Sequence, residues 1–211
     1  MFVGHLSIGL LGKRAEPRIS LGTWIFAAML ADFVAFPLLV AGIESFTSSP
    51  PRIPYSHSLS MNAGWAGLLA AAFFAYRRSR RGSWLLFAAA LSHWPLDAIS
   101  HQPDLKLAPG MEVAVGLGLW SSLPATLAVE GGFWLVALVL YVGATRAKRR
   151  AGVYAFWIGV AMLTLFWHSN VTKGVDPNPV RAGIGGLIFF SLVVAWGFWM
   201  NRARHFVLPS N

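Results

Sequence analysis

His93, Asp97 and His101 stand at i, i+4 and i+8 in the stretch Leu91-Ser92-His93-Trp94-Pro95-Leu96-Asp97-Ala98-Ile99-Ser100-His101. On an α-helix that spacing puts the three side chains on nearly one face, each a turn above the last. Two imidazoles and a carboxylate on one stripe are the donor set of a Zn²⁺ or similar transition-metal site. A polar helix end wetted at an interface is the plainer reading of the same residues. The metal reading therefore needs further ligands from elsewhere in the chain. Asp32, His57 and Glu130 are the ionisable residues placed to supply them, with His5 a more distant candidate.

These residues must be positioned by membrane helices. Of 211 residues 56% are hydrophobic and only 12% charged, and the mean hydropathy is +0.58. A soluble domain carries about a quarter charged residues, so the composition is that of a polytopic membrane protein. There is no cysteine, which excludes disulfides and thiolate metal sites. The net charge of +9 could suggest nucleic acid. All but four of the 17 basic residues (Arg52, Lys106, Lys173 and Arg181), however, sit in the alternate short loops and ends that fall on one side of the expected spans. That is a topology signal and leaves no nucleic-acid surface.

The expected fold is all-α: a single integral membrane domain over 1–211, with about six transmembrane helices, a short N-terminal helix and an interfacial segment. Met1–Leu11 is too short to span and ends at Lys13-Arg14, the reverse of the order in a cleavable signal. It reads as an interfacial or partly inserted helix. The spans fall near 21–41, 59–76, 83–100, 124–145, 154–167 and 184–200, with the last three forming a C-terminal half. Residues 111–123, apolar but broken by glycines, read as an interfacial or re-entrant segment. Pro95 should bend the third span where its polar residues begin.

The basic loops put both termini in the cytoplasm and the polar loops outside. Counted at 1.5 Å per residue from the nearest cytoplasmic basic residue, His93 lies about 18 Å up, Asp32 about 21 Å, and Asp97 and Glu130 about 24 Å. His57 and His101 come out at about 30 Å, and His5 at about 12 Å. A buried carboxylate such as Asp32 costs about 2.5–3.5 kcal/mol on insertion scales unless it faces a partner or water. One outward-opening polar cavity accounts for the layer. A shared metal site requires Asp32 within about 5 Å of the His93–Asp97 pair.

The motif-bearing half, residues 1–105, resembles the membrane-bound metal-dependent hydrolases, also called LexA-binding, inner-membrane-associated hydrolases. The resemblance rests on Gly4-His5-Leu6, on Asp32, on Arg52 followed by Ser56-His57-Ser58-Leu59, and on Ser92-His93 with Pro95, Leu96 and Asp97. The order of these ligands is also similar to that in zinc-dependent phospholipase C. The family pattern has a histidine just before the arginine and often a second aspartate near the first; here Pro51 and Phe33 stand there.

The resemblance implies His5, Asp32, His57, His93 and Asp97 as metal ligands, to which the helical spacing adds His101. It also implies metal-assisted hydrolysis, in which the ion lowers the pKa of a bound water towards about 7 and polarises a phosphoryl or acyl oxygen. Asp104 or Glu130 would serve as general base, and Arg52 would hold an anionic head group. The implied partners are membrane lipids and a lipid-linked substrate, and the implied place is the bacterial inner membrane with the site facing outward. Two rival readings are a transporter for metal or protons and a structural subunit of a larger membrane complex. The first requires ionisable groups through the cytoplasmic half, where the second to sixth spans have none. The second is allowed by the ten tryptophans and many small residues.

Overall fold

The computed structural model describes residues 1–46, 48, 50–174 and 176–207. Its centre is α1 (Phe2–Ala15), whose Val3, Leu6 and Leu10 are buried. It packs against α2 (Leu21–Ala28) on one side and α8 (Leu123–Ala144) on the other. The close approach to α2 depends on Gly12: a Cβ there would lie 2.3 Å from the ring of Trp24. The N-terminal helix is thus wrapped by the bundle, and the expected interfacial position is corrected. Its length bars it from spanning but not from being enclosed by longer neighbours.

The segment expected as one span over 21–41 is broken at Met29 into α2 and α3 (Leu30–Val40), bent by 58°. The loop 41–53 folds back, with Ser45 and Arg52 exchanging backbone hydrogen bonds of 2.9 and 2.8 Å. It leads into the single turn α4 (Pro54–His57) and the long helix α5 (Leu59–Arg77).

The expected third span is also divided, into α6 (Arg80–Leu91) and α7 (His93–Ser100). The break lies at Ser92, where the polar residues begin, because a proline at the third position of α7 denies a donor to the Leu91 carbonyl. The chain then makes a small hairpin, β1 (Leu105–Lys106) with β2 (Ala114–Val115), and a 3-10 turn at Leu119–Ser121. This segment docks on the end of α7: Leu117 N–H donates to Ala98 O (2.8 Å) and Gly118 N–H to His101 O (2.7 Å).

After α8 come β3 (Thr145–Ala147), α9 (Arg150–Lys173), α10 (Pro179–Ala203) and β4 (Arg204–Phe206), with β3 and β4 antiparallel. Asn178 caps α10, accepting from Arg181 N–H (3.0 Å). In the preceding loop, hydrogen bonds from the Arg181 guanidinium hold the Asp176 carboxyl below its ordinary range.

Among the described residues four helices, α5, α8, α9 and α10, are long and apolar enough to cross a membrane, or up to five if the bent pair α2–α3 is one span. Against an expected count of about six, four to five such spans are found among the described residues. At 12 and 8 residues, α6 and α7 are each too short for roughly 30 Å of hydrocarbon. The membrane-type helices are turned outward: Leu135, Val139, Ile158, Met162, Leu165 and Leu192 are all exposed, as lipid-facing residues are and water-facing ones seldom are.

The four basic clusters share one end of the bundle. Arg81 Nη2 donates to Ala15 O (3.2 Å), Leu21 N–H to Asn201 Oδ1 (3.3 Å), and buried Arg204 Nε to Thr145 Oγ1 (3.1 Å). The breaks in α2–α3 and α6–α7 and the start of α1 lie towards the other end, about 12, 18 and 21 Å along α2, α6 and α1.

Candidate metal centre

Each polar residue of the centre comes from a helix end or a helix break. His5 is in the first turn of α1, Asp32 in the first turn of α3, His57 at the end of α4, and His93 opens α7 with Asp97 one turn on. At such ends the backbone supplies unpaired groups and a local dipole, and the positive end of α3 favours the Asp32 carboxylate. Irregular backbone at membrane depth is tolerated where protein buries it in this way.

His93 is oriented by the break at Met29. Its Nδ1 lies 2.9 Å from the Ala28 carbonyl; a carbonyl only accepts, so Nδ1 carries the hydrogen. Its Nε2 is buried without a hydrogen-bond partner among the described residues, 3.1 Å from Asp97 Oδ2 and 3.9 Å from Asp32 Oδ2. A bare lone pair facing two carboxylates is repulsive unless a proton or a cation lies between them. The ring of His5 stacks on His93 at 3.7 Å and 8°, which disfavours charging both rings.

The remaining distances complete the set. His57 Nε2 is 3.5 Å from Asp32 Oδ1 and 3.8 Å from Asp97 Oδ2. Oδ1 of Asp97 is occupied by the Met1 amine (2.6 Å) and by Nε2–H of His5 (3.0 Å), so Oδ2 is the oxygen left for the centre. Two buried groups, His5–His93–Asp97 and Asp32–His57–His93, each bring their donor atoms within 4.8 Å of one another and could hold a metal ion. Donors at 2.0–2.2 Å around a tetrahedral ion are about 3.4 Å apart, and the spacings of 3.1–3.9 Å among His57, His93, Asp32 and Asp97 bracket that value. Donor type and spacing fit a divalent cation.

The centre is nearly closed. Side chains of His5, His57, His93 and Asp97 are at most 4% exposed, whereas Asp32 is 18% exposed. Access is therefore by way of Asp32. Asp32 stands within 3.9 Å of His93, inside the limit a shared site requires.

His101, Asp104, Glu130 and Arg52 do not join either group. His101 is the C-cap of α7 and has left the helix; its Nδ1 pairs with Asp104 Oδ1 at 3.0 Å. Its ring rests on Trp120, whose Nε1 donates to Glu130 Oε1 (2.8 Å). Asp104, His101, Trp120 and Glu130 thus form one chain of contacts under the β1–β2 segment. Arg52 is exposed in the folded-back loop before α4.

The centre also contains residues that sequence reasoning missed. Glu44, 1% exposed, accepts from the backbone N–H of Tyr55 (2.7 Å) and Ser56 (2.9 Å) and from Ser56 Oγ (2.5 Å). Ser56 Oγ lies 2.7 Å from Nδ1 of His57. Ser58 Oγ and Asn62 Oδ1 on the next turns are buried without hydrogen-bond partners among the described residues.

Comparison of the chain with protein-family models, with curated proteins and with solved structures finds no match.

Proposed function

We propose that the chain is a membrane-embedded, metal-dependent hydrolase of the bacterial inner membrane. Its substrate would be the phosphoester or other ester linkage of a lipid-linked molecule at the extracytoplasmic leaflet. The observation that carries the reading is the convergence of two imidazole Nε2 atoms on two carboxylates in a nearly closed pocket, with the His93 lone pair fixed towards them by Ala28. His57, His93, Asp32 and Asp97 would hold a divalent ion such as Zn²⁺, which would supply an activated water near neutral pH and polarise the ester oxygen.

The chain's own residues do the rest. Asp32, the least buried of the set, borders the route by which the linkage enters. Exposed Arg52 suits an anionic head group. Exposed Met111, Val113 and Leu117 give the segment over α7 an apolar face that can lie in the interface, so a tail could stay among acyl chains while the linkage enters.

The test is hydrolysis in mixed micelles of detergent with lipid-linked phosphodiester and carboxylic-ester substrates, read as released acid. Turnover that a chelator abolishes and added Zn²⁺ restores supports the reading. Metal-loaded protein that cleaves neither class leaves an ion centre without hydrolysis and overturns it.

A further inference from the structure

Glu44 lies in a Ser/Pro-rich loop where a carboxylate would ordinarily be solvated, yet it is buried against the start of α4. Among the described residues all three of its partners are donors, which fixes the direction of each hydrogen bond from Glu44 to His57. Oε1 takes the backbone hydrogens of Tyr55 and Ser56. Oε2 takes the hydroxyl hydrogen of Ser56, because a carboxylate only accepts. With that hydrogen committed, Ser56 Oγ can only accept from His57, so Nδ1 of His57 carries its hydrogen. Nε2 is left bare and directed at Asp32 and Asp97.

We infer that Glu44, through Ser56, is the positioning residue that sets the tautomer of His57 and so makes it a metal ligand. Ala28 does for His93 what Glu44 and Ser56 do for His57, one by a backbone carbonyl and the other by a carboxylate and a hydroxyl. Such outer partners hold ligand orientation and basicity, and their loss costs about 10–100-fold in metal affinity. The inference rests on the metal reading of the centre, but the tautomer can be read without any ion.

Glu44→Gln is the discriminating variant. Its amide oxygen must stay on the Tyr55 and Ser56 N–H groups, so its NH₂ must donate to Ser56 Oγ. The Ser56 hydroxyl then turns to donate to Nδ1 of His57, and the proton moves to Nε2. The loop keeps its backbone hydrogen bonds while the ligand atom is blocked. Ser56→Ala is the second variant, should Glu44→Gln fold poorly.

Two readouts separate the possibilities. In chelator-treated protein above pH 8, imidazole ¹⁵N shifts should give Nδ1–H for His57 in the wild type and Nε2–H in Glu44→Gln. Titration with Co²⁺ or Zn²⁺ should show binding weakened about 10–100-fold in Glu44→Gln and in Ser56→Ala, with helical signal unchanged. A wild-type His57 protonated on Nε2, or variants that bind metal as tightly as wild type, overturns the inference. A wild type with the expected tautomer that binds no metal instead overturns the metal reading and leaves Glu44 setting a tautomer with no ligand role.

Discussion

Nδ1 of His93 donates to the backbone carbonyl of Ala28 across 2.9 Å. One broken helix thereby aims the leading side chain of another. The break at Met29 places that carbonyl in reach, and the break at Ser92 puts His93 at the head of α7.

The second break depends on Pro95. Pro95→Ala restores an N–H that can bond the Leu91 carbonyl and lets α6 continue into α7. His93 and Asp97 then rotate away from Asp32 and His57. Metal affinity should fall about tenfold or more while helical content holds or rises. Unchanged affinity in a metal titration would mean that packing alone holds the break.

A stability prediction falls on the α1–α2 contact. A Cβ at Gly12 would meet the Trp24 ring well inside contact distance, and Trp24 is 1% exposed, so it has no room to move. Gly12→Leu should destabilise the bundle by about 1–3 kcal/mol or more, the usual cost of overpacking. Thermal unfolding in detergent measures it. No shift in midpoint would show that the two helices can separate freely.

Much of the centre was legible because His5, Asp32, His57, His93 and Asp97 are ionisable residues in apolar surroundings, which are costly unless they meet. His101 was placed by assuming that the helix continued for another turn. Gln102 precedes Pro103, whose ring disfavours the helical conformation before it, and the chain turns His101 to Asp104 instead. Glu44 gave no signal, since an acid in a polar loop is ordinary until the fold closes over it. The bend at Met29 was equally silent: Ala27-Ala28-Met29-Leu30 contains only good helix formers, and the break shows itself only with a tertiary partner at Ala28. His5 was set too shallow because α1 was judged by length rather than by what surrounds it.

Orientation is open to a clean test because the chain has no cysteine. The basic clusters share one end of the bundle, which the charge rule assigns to the cytoplasm. A cysteine at Lys173, the last residue of α9, should react with an impermeant thiol reagent added to intact cells. A cysteine at Lys148 should react only after lysis. The opposite pattern would reverse the topology and place the centre at the inner leaflet.

The most direct measurement is elemental analysis of the protein purified without chelators. About one divalent ion per chain is expected from the two donor groups, which share His93. His93→Ala and Asp97→Ala should each lose most of it, because each removes a donor from the centre. His168→Ala, on α9 and outside both donor groups, should keep it. A wild-type protein with no stoichiometric metal, or a His93→Ala variant that retains a full complement, would contradict the metal centre and the hydrolase reading built on it.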